Sequence, residues 1–265
     1  MTNLITITLA ILVAISGADP APPASPLFTK PLSERDAWAR PMRSVLGRQR
    51  HAPTEDFAGK VLVDILAGDD GWNAFADALD AALATSSLQP VYLDTKGISP
   101  LVRAVESRPL LLIVGSTRRF TPDEAIAVAN FVSLGGRLLA LSYATPAYTA
   151  RIVDMNVLLN EYAITASLGR APGATLLEKH AIADGLGPLP ALELGIGLWT
   201  TSAQAVAKAG TTPWLLALDL APGRVVALDA KALAAGQPAA PRKPAQPSPF
   251  LPLISRVLTW LTAPE

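Results

Sequence analysis

The amino-acid sequence predicts an α/β fold with a mostly parallel sheet and an antiparallel hairpin near the C-terminus. Two apolar stretches, Leu110–Val114 and Arg137–Leu141, are the first observation, because such runs are typical of strands covered on both faces. A helix signal lies between them, and a strand, helix and strand joined by short loops form a parallel crossover. The third observation is Ala221–Arg224, a turn signal between two apolar runs that predicts the hairpin.

The helix between the two strands has clear start and stop signals. Thr121 is a good N-cap, Pro122 suits the first helical position, and Glu124 follows three residues after Thr121. This spacing predicts a capping box. Gly135 and Gly136 end the helix, because glycine accepts the left-handed conformation of a helix C-cap. The helix is apolar nearly all round, so we expect it to pack on the sheet.

The remaining elements follow from apolar periodicity and turn residues. Further strands are predicted at Val61–Leu66, Pro90–Leu93, Leu192–Trp199, Ala203–Ala209, Trp214–Leu220 and Val225–Asp229. Further helices are predicted over Trp72–Leu83, Ile98–Ser107, Ile152–Tyr162 and Phe250–Leu261. The segment Thr165–Ala191 is rich in Gly and Pro, and we expect it to be irregular.

Composition limits the functions open to this chain. Its 265 residues suit one large α/β domain or two small ones. Lys and Arg together number 22, as do Asp and Glu, so the basic excess of nucleic-acid proteins is missing and no nucleic-acid partner is expected. Because the chain contains no cysteine, disulfides, thiolate metal sites and a cysteine nucleophile are excluded.

The N-terminal segment contains an apolar run, Leu4–Gly17, that is too short for an ordinary membrane span. Small residues from Ser16 to Ala18 favour cleavage before Asp19, so we interpret residues 1–18 as an export signal. Basic residues follow the run and none precedes it, which leaves an uncleaved anchor or a buried N-terminal element as alternatives. We therefore expect the protein to be exported to the periplasm or tethered to a membrane.

Composition also suggests the domain boundaries. Residues 19–60 are Pro-rich and charged, and we interpret them as a linker. The α/β domain is expected to occupy residues 61–265, with a mobile Pro/Ala/Gln-rich loop over 234–249. No internal repeat is evident.

Several short motifs, taken in order, resemble the class I glutamine-amidotransferase-like superfamily. They are GSTRRFTPDE (115–124), FVSLGGRLLAL (131–141), MNVLLNEYAI (155–164), HAIADGL (180–186) and GRVVALD (223–229). The chain looks most like the non-catalytic branch, which includes the GIFT domains of gliding-motility and intraflagellar-transport proteins and bacterial domains often linked to ABC transporters. The resemblance covers about residues 61–262 and implies a flavodoxin-like three-layer sandwich.

In the amidotransferases the strand that matches Leu138–Leu141 leads into a small-x-Cys-x-small nucleophile elbow. Here the same place reads Ala140-Leu141-Ser142-Tyr143-Ala144, so glutamine hydrolysis by the family route is excluded. The catalytic alternative is a triad in which Ser142 is the nucleophile, His180 is the base, and Glu178 or Asp184 is the acid. A hydrogen-bonded turn serine is the simpler interpretation, because alanines replace the glycines of the elbow. We therefore expect no catalytic residues.

A binding site for a small anionic ligand is the other candidate. Arg118 and Arg119 follow a strand and precede a helix N-terminus, and ligands of open α/β sheets bind at the carboxyl ends of strands. The loop with Asp69 and Asp70 would lie nearby, and pairing of these aspartates with the arginines is the structural alternative. Asp64, Asp69 and Asp70 lack a spacing that demands a metal, so we expect no metal. No Gly-rich phosphate motif is present, and we expect no cofactor.

The tryptophans add one further hypothesis. Trp72, Trp214 and Trp260 fall at apolar positions and are expected in the core. Trp199 lies in an irregular segment, where an exposed aromatic side chain would mark a protein-binding surface.

The sequence therefore favours a non-catalytic binding module of a bacterial cell envelope. We expect a protein partner, with membrane transporter subunits as the candidates, and a serine hydrolase using Ser142 and His180 is the alternative function.

Overall fold

A long sheet with helices on both faces forms the centre of the fold. The computed structural model describes residues 49–65, 70–95, 99–116, 118–143, 150–169, 172–234 and 248–264. The strands are β1 (Arg50–His51), β2 (Val61–Asp64), β3 (Pro90–Leu93), β4 (Leu111–Gly115), β5 (Arg137–Ser142), β6 (Ile164–Leu168), β7 (Pro172–Gly173), β8 (Thr175–Leu177), β9 (Leu192–Glu193), β10 (Ile196–Thr200), β11 (Gln204–Ala209), β12 (Thr212–Asp219) and β13 (Arg224–Asp229). The helices are α1 (Asp70–Thr85), α2 (Pro100–Ala104), α3 (Pro122–Ser133), α4 (Ala150–Leu159), α5 (Lys231–Ala234) and α6 (Leu251–Thr262), and a 3₁₀ turn, Val105–Ser107, follows α2.

The sheet is mostly parallel, as predicted. Its strand order in the described residues is β1-β3-β2-β4-β5-β13-β12-β11-β8. The pairings from β1 to β13 are parallel, and those from β13 to β8 are antiparallel. β12 and β13 form the predicted hairpin, whose second strand pairs in parallel with β5. The α/β fold class is therefore confirmed.

The helix between β4 and β5 has the predicted ends. Thr121 Oγ1 accepts from the backbone N–H of Glu124 at 3.2 Å, and a Glu124 oxygen accepts from the Thr121 N–H at 3.1 Å, which completes the capping box. Gly135 has φ +97°, so it supplies the left-handed residue that ends α3. A Cβ at Gly136 would lie 2.5 Å from the ring of Phe131, so only glycine fits there without displacing that ring.

Two apolar cores lie on the two faces of the sheet. The first core packs α1 and α6 against one face and includes Leu79 and Leu258. The second core packs α3 and α4 against the other face and includes Val128 and Met155. Residues two apart on one strand share a face, so Leu138 and Ala140 join the second core while Leu139 and Leu141 join the first. The arrangement gives the three layers expected from the sequence.

The prediction of an irregular segment over Thr165–Ala191 is wrong at its start. β6 pairs with β10 to form a separate two-stranded antiparallel sheet, and β8 joins the main sheet beside β11. The Asn156 side chain covers the outer edge of β6, because its Nδ2 donates to the Ala166 carbonyl at 3.0 Å and its Oδ1 accepts from the Ala166 N–H at 2.7 Å. Long-range pairing of this kind leaves no local periodicity in the sequence.

The folded part of the chain begins before residue 61. β1 pairs with β3 at one end of the sheet, and Phe57 is fully buried in the second core, although both lie in the segment interpreted as linker. β2 begins at Val61 as predicted and ends at Asp64. The expected export signal or anchor, residues 1–18, and the linker up to residue 48 lie outside the described residues. Most of the expected mobile loop, residues 235–247, lies outside them as well.

Candidate functional site

Buried polar residues line the carboxyl edge of the sheet. β2, β5 and β13 end in Asp64, Ser142 and Asp229, and Ser116 directly follows β4. Parallel pairing sets Ser142 opposite Asp229. The residues two positions before Asp64, Ser142 and Asp229 all belong to the second core, so these three side chains point to the same face. This edge is where an open α/β sheet ordinarily binds its ligand.

Arg118 lies between two buried carboxylates. Its Nη2 donates to an oxygen of Asp64 and an oxygen of Glu124, both at 2.8 Å. Its Nη1 donates to the other Glu124 oxygen at 2.8 Å and to the Arg119 carbonyl at 3.0 Å, and its Nε donates to Asp64 at 3.2 Å. All five guanidinium N–H groups therefore have acceptors inside the protein, and none remains for an external anion. We call Arg118, Asp64 and Glu124 the Arg118 cluster.

Glu124 connects the Arg118 cluster to two helix N-termini. Its oxygens accept from the backbone N–H of Thr121, which caps α3, and from that of Leu101 in α2 at 3.2 Å. The guanidinium carbon of Arg118 also lies 4.7 Å from the centre of the Phe120 ring. The cluster thus joins the end of β2, the loop after β4 and the starts of α2 and α3.

Burial and ion pairing act in opposite directions on the carboxyl groups of the Arg118 cluster. Burial raises the pKa of Asp64, and the charge and hydrogen bonds of Arg118 offset only part of this effect. Burial also acts to raise the pKa of Glu124, but hydrogen bonds from Arg118 and from backbone N–H groups lower it below its ordinary value. Burial acts to lower the pKa of Arg118, yet Glu124 and Asp64 raise it well above its usual range. Glu124 is therefore the firmly ionised partner of the guanidinium.

The structure separates the predicted anion ligands. Arg119 is 87% exposed, with its Nε 3.8 Å from Asp154, whereas the guanidinium of Arg118 is enclosed by the Arg118 cluster. Asp69 lies outside the described residues, and Asp70 begins α1 without a described side chain. The expected pairing of these two aspartates therefore lies outside the described residues, and the described partners of Arg118 are Asp64 and Glu124, which sequence analysis did not connect to it.

The structure does not bring Ser142 and His180 together. Ser142 lies at the carboxyl end of β5, is 1% exposed, and its Oγ has no hydrogen-bond partner. The His180 ring packs 5.5 Å from the ring of Trp260, whose carbonyl accepts a hydrogen bond from Arg224 at the start of β13. Because β13 runs parallel to β5, His180 lies towards the opposite edge of the sheet from Ser142.

The other members of the predicted triad have different partners. Nδ1 of His180 accepts from the backbone N–H of Ile182 at 3.1 Å, and burial lowers the pKa of this histidine. Glu178 forms an ion pair of 2.7 Å with Lys208. Asp184 is exposed on the surface. The hydroxyl of Ser142 thus has no general base among the described residues.

Asp229 is a buried carboxyl that sequence analysis did not single out. Its Oδ2 accepts from the backbone N–H groups of Gly195 and Ile196 at 2.6 and 3.0 Å, and its Oδ1 accepts from that of Lys231 at 3.0 Å. Burial raises its pKa to about 6, and the three hydrogen bonds offset part of this effect. The only sequence signal was an acidic residue closing the apolar run GRVVALD.

Trp199 is an exposed aromatic residue held in one orientation. Its side chain is 56% exposed, and its indole Nε1 donates to Ser167 Oγ at 2.9 Å across the β6–β10 pair. Trp214, by contrast, is fully buried, and Trp260 packs at the edge of the first core. The side chain of Trp72 lies outside the described residues. The sequence expectation that Trp199 differs from the other tryptophans therefore agrees with the structure.

The described residues contain neither a helix that could span a membrane nor a group that could bind a metal. No helix of the described residues is both long and apolar enough to cross a bilayer. No three His, Asp or Glu side chains of these residues lie together in a way that could hold a metal ion.

Several solved structures are similar to this chain in fold. A cytoplasmic protein of Salmonella typhimurium LT2 matches with a TM-score of 0.50 and 15% identity, over 76% of this chain and 99% of that protein. A cold-adapted β-galactosidase from Rahnella sp. R3 matches with a TM-score of 0.48 and 15% identity, over 84% of this chain. A putative ThuA-like protein from Bacteroides uniformis matches with a TM-score of 0.47 and 10% identity, over 80% of this chain and 94% of that one.

These similarities concern the fold alone. This chain spans only 33% of the length of the β-galactosidase. The Salmonella protein is matched over nearly its whole length and agrees with the α/β architecture predicted from the sequence. No family model and no curated protein sequence matches the chain. Assignment to the non-catalytic amidotransferase-like branch remains a prediction.

Proposed function

We propose that this protein is a non-catalytic binding module that contacts a protein partner through the surface around Trp199. The observation that carries the proposal is the exposed indole of Trp199, which Ser167 holds by a hydrogen bond. Tryptophan is enriched among the residues that contribute most to protein interfaces. A side chain already fixed in the free protein loses less conformational entropy on binding, so this tryptophan suits an interface anchor.

The absence of catalysis is supported by the carboxyl edge of the sheet. By the sequence resemblance Ser142 matches the amidotransferase nucleophile, but its hydroxyl is buried without a partner and His180 lies towards the other edge. Arg118, the other candidate there, has every donor engaged by the protein itself. A general base within hydrogen-bond reach of the nucleophile is required for serine catalysis, and none of the described residues meets this requirement.

The cellular setting in this proposal is the bacterial cell envelope, with membrane transporter subunits as the partner. The support for this part comes from the sequence: the apolar run Leu4–Gly17 suits export or tethering, and the chain resembles bacterial domains often linked to ABC transporters.

The test is quantitative affinity capture from detergent-solubilised native membranes. Tagged full-length protein is compared with Trp199→Ala and with Leu176→Ala, a control whose side chain is 51% exposed on β8. We expect a transporter or other envelope subunit to be enriched by the parent protein and by Leu176→Ala, but lost with Trp199→Ala at unchanged melting temperature. Equal recovery of the partner with all three proteins would contradict the proposal that the surface around Trp199 binds it. Spectra of the captured protein also show whether it begins at Met1 or Asp19.

A further inference from the structure

An open apolar groove lies at the amino edge of the sheet, beside the starts of β4 and β5. Its volume is about 800 Å³, within the range of about 300–1,000 Å³ that is usual for small-molecule sites. The 3₁₀ turn after α2, the end of α3, the start of β5 and the end of α6 form its walls. Most of the lining is apolar and includes Val102, Val105, Leu110, Ala127, Phe131 and Leu134. We call this surface the amino-edge groove.

The apolar part of the amino-edge groove suits an occupant that has no polar groups of its own there. Leu110 is 39% exposed and Leu134 is 66% exposed, so apolar surface in the groove remains open to water, whereas Phe131 is buried below it. Pro109 and Pro264 in the wall have no backbone N–H to offer. A hydrocarbon chain laid against these side chains would remove apolar surface from water without burying a polar group of the occupant.

The charged side chains of the groove are two cations and one anion. They are Arg108, Arg137 and Glu106. Nη1 of Arg137 donates to the carbonyls of Gly135 and Pro222, which anchors this guanidinium in the wall. The guanidinium of Arg108 is exposed and forms no ion pair or hydrogen bond with the described residues. Its N–H groups can therefore donate to an anionic group of an occupant.

Two helices end at the groove, and helix C-termini ordinarily favour a cation. Here their carbonyls already have donors. The N–H groups of residues 134–136 bond three carbonyls in the last turn of α3. At the end of α6, Nη1 of Arg224 donates to the carbonyls of Trp260 and Ala263 at 2.7 and 3.2 Å. The charge of the lining side chains therefore decides the preference of the groove, and it favours an anion.

We propose that the amino-edge groove binds an unbranched acyl carboxylate. Its hydrocarbon chain lies against Phe131 and Leu134, and its carboxylate pairs with Arg108. An anionic amphiphile with one chain matches both the apolar walls and the excess of positive charge, whereas a cationic amphiphile matches only the walls. The inference is independent of the Trp199 surface, which belongs to the separate β6–β10 sheet.

Calorimetric titration of the full-length protein with dodecanoate, below the concentration at which it forms micelles, tests the proposal. We expect saturable binding of one dodecanoate per chain. Decanoate lacks two methylenes and should bind roughly fifteenfold more weakly, because each buried methylene contributes about fourfold. Dodecyltrimethylammonium has the same chain with the opposite charge and should bind at least about fivefold more weakly than dodecanoate.

Two pairs of variants locate the bound molecule. Leu134→Glu places a negative charge on the apolar wall and should weaken dodecanoate binding at least about tenfold. Val153→Glu is its control, because Val153 lies on α4 outside the groove and is also 66% exposed. Arg108→Gly removes the cation, and glycine readily adopts the φ of +53° found there, so the fold is retained and binding should weaken about fivefold. Arg103→Ala removes an exposed arginine outside the groove and should leave the affinity unchanged.

Two results would overturn the site itself. They are the absence of saturable dodecanoate binding, and an affinity that is the same in Leu134→Glu as in Val153→Glu. Two other results would overturn the assignment of an anionic head group. They are equal affinity for dodecyltrimethylammonium and dodecanoate, and an affinity for dodecanoate in Arg108→Gly that equals that of Arg103→Ala.

Discussion

Two groups of buried carboxyls lie on the same face of the sheet and are stabilised in different ways. In the Arg118 cluster, Asp64 and Glu124 share one guanidinium that donates to both. At Asp229, the carboxyl accepts from three backbone N–H groups, and no side chain of the described ranges bonds it. The pKa of Glu124 is lowered, whereas burial raises the pKa of Asp229 to about 6. The same guanidinium leaves the pKa of Asp64 raised, so a cation offsets burial fully only at Glu124, where backbone N–H groups of Thr121 and Leu101 add to it.

The largest expected effect comes from removing the shared cation. Arg118→Met leaves two buried carboxyls without their shared cation, so the free energy of unfolding should fall by about 3–5 kcal/mol at pH 7. Urea denaturation measures this change. Arg119→Met is the matched control. The guanidinium of Arg119 is exposed and lies 3.8 Å from Asp154, so its removal should change the free energy of unfolding little. Similar losses of stability in both variants would mean that the buried Arg118 cluster contributes no more than an exposed ion pair does.

The second prediction concerns pH and Asp229. Its pKa is about 6 in the folded protein against 3.8 ordinarily, so the folded state binds this proton more tightly than the unfolded state. Stability from this group is full below pH 4 and is lost as pH rises through 6, by about 3 kcal/mol in total. Asp229→Asn cannot titrate and should remove this part of the pH dependence in urea denaturation between pH 4 and 7.

Two other buried carboxyls on this face also contribute to the pH dependence. Asp64, whose pKa is also raised, contributes a slope of the same sign. Glu124 contributes the opposite sign, because its lowered pKa adds stability that disappears as the pH falls. A parent-like slope in Asp229→Asn would assign the pH dependence to Asp64 and contradict the prediction.

A smaller effect is expected at the capping box. Thr121→Ala removes the acceptor for the Glu124 N–H and should lower stability by about 1 kcal/mol. The Arg118 contacts to the Glu124 side chain remain, so the loss should stay well below that of Arg118→Met. Thermal unfolding measures it, with Ser133→Ala in the exposed last turn of α3 as the control. A loss as large as that of Arg118→Met would show that the cap, and not the cation, holds Glu124.

The smallest effect is expected at Ser142. Its hydroxyl is buried without a hydrogen bond, so Ser142→Ala should leave stability unchanged or raise it by about 1 kcal/mol. A serine-reactive phosphonate should not label the parent protein. Labelling that disappears in Ser142→Ala would instead support the hydrolase alternative. Loss of stability in that variant would show that the hydroxyl has a partner.

Local signals in the sequence predicted local structure well. Thr121 with Glu124, the Gly135-Gly136 pair and the Ala221–Arg224 turn act over a few residues, and each forms the predicted feature. The partner of Arg118 could not be found in this way, because Asp64 is 54 residues away and becomes a neighbour only when β2 pairs with β4. The same limitation applies to Asp229, because its partners Gly195 and Ile196 lie at the start of β10, in the separate β6–β10 sheet.

The amide of Asn156 has a consequence for association between molecules. By bonding both the N–H and the carbonyl of Ala166, it occupies the positions that a strand from another chain would use on the outer edge of β6. Asn156→Leu would leave that edge with an N–H and a carbonyl free for pairing. Such edges are templates for strand addition and fibre growth, so we expect this side-chain amide to oppose association at that edge.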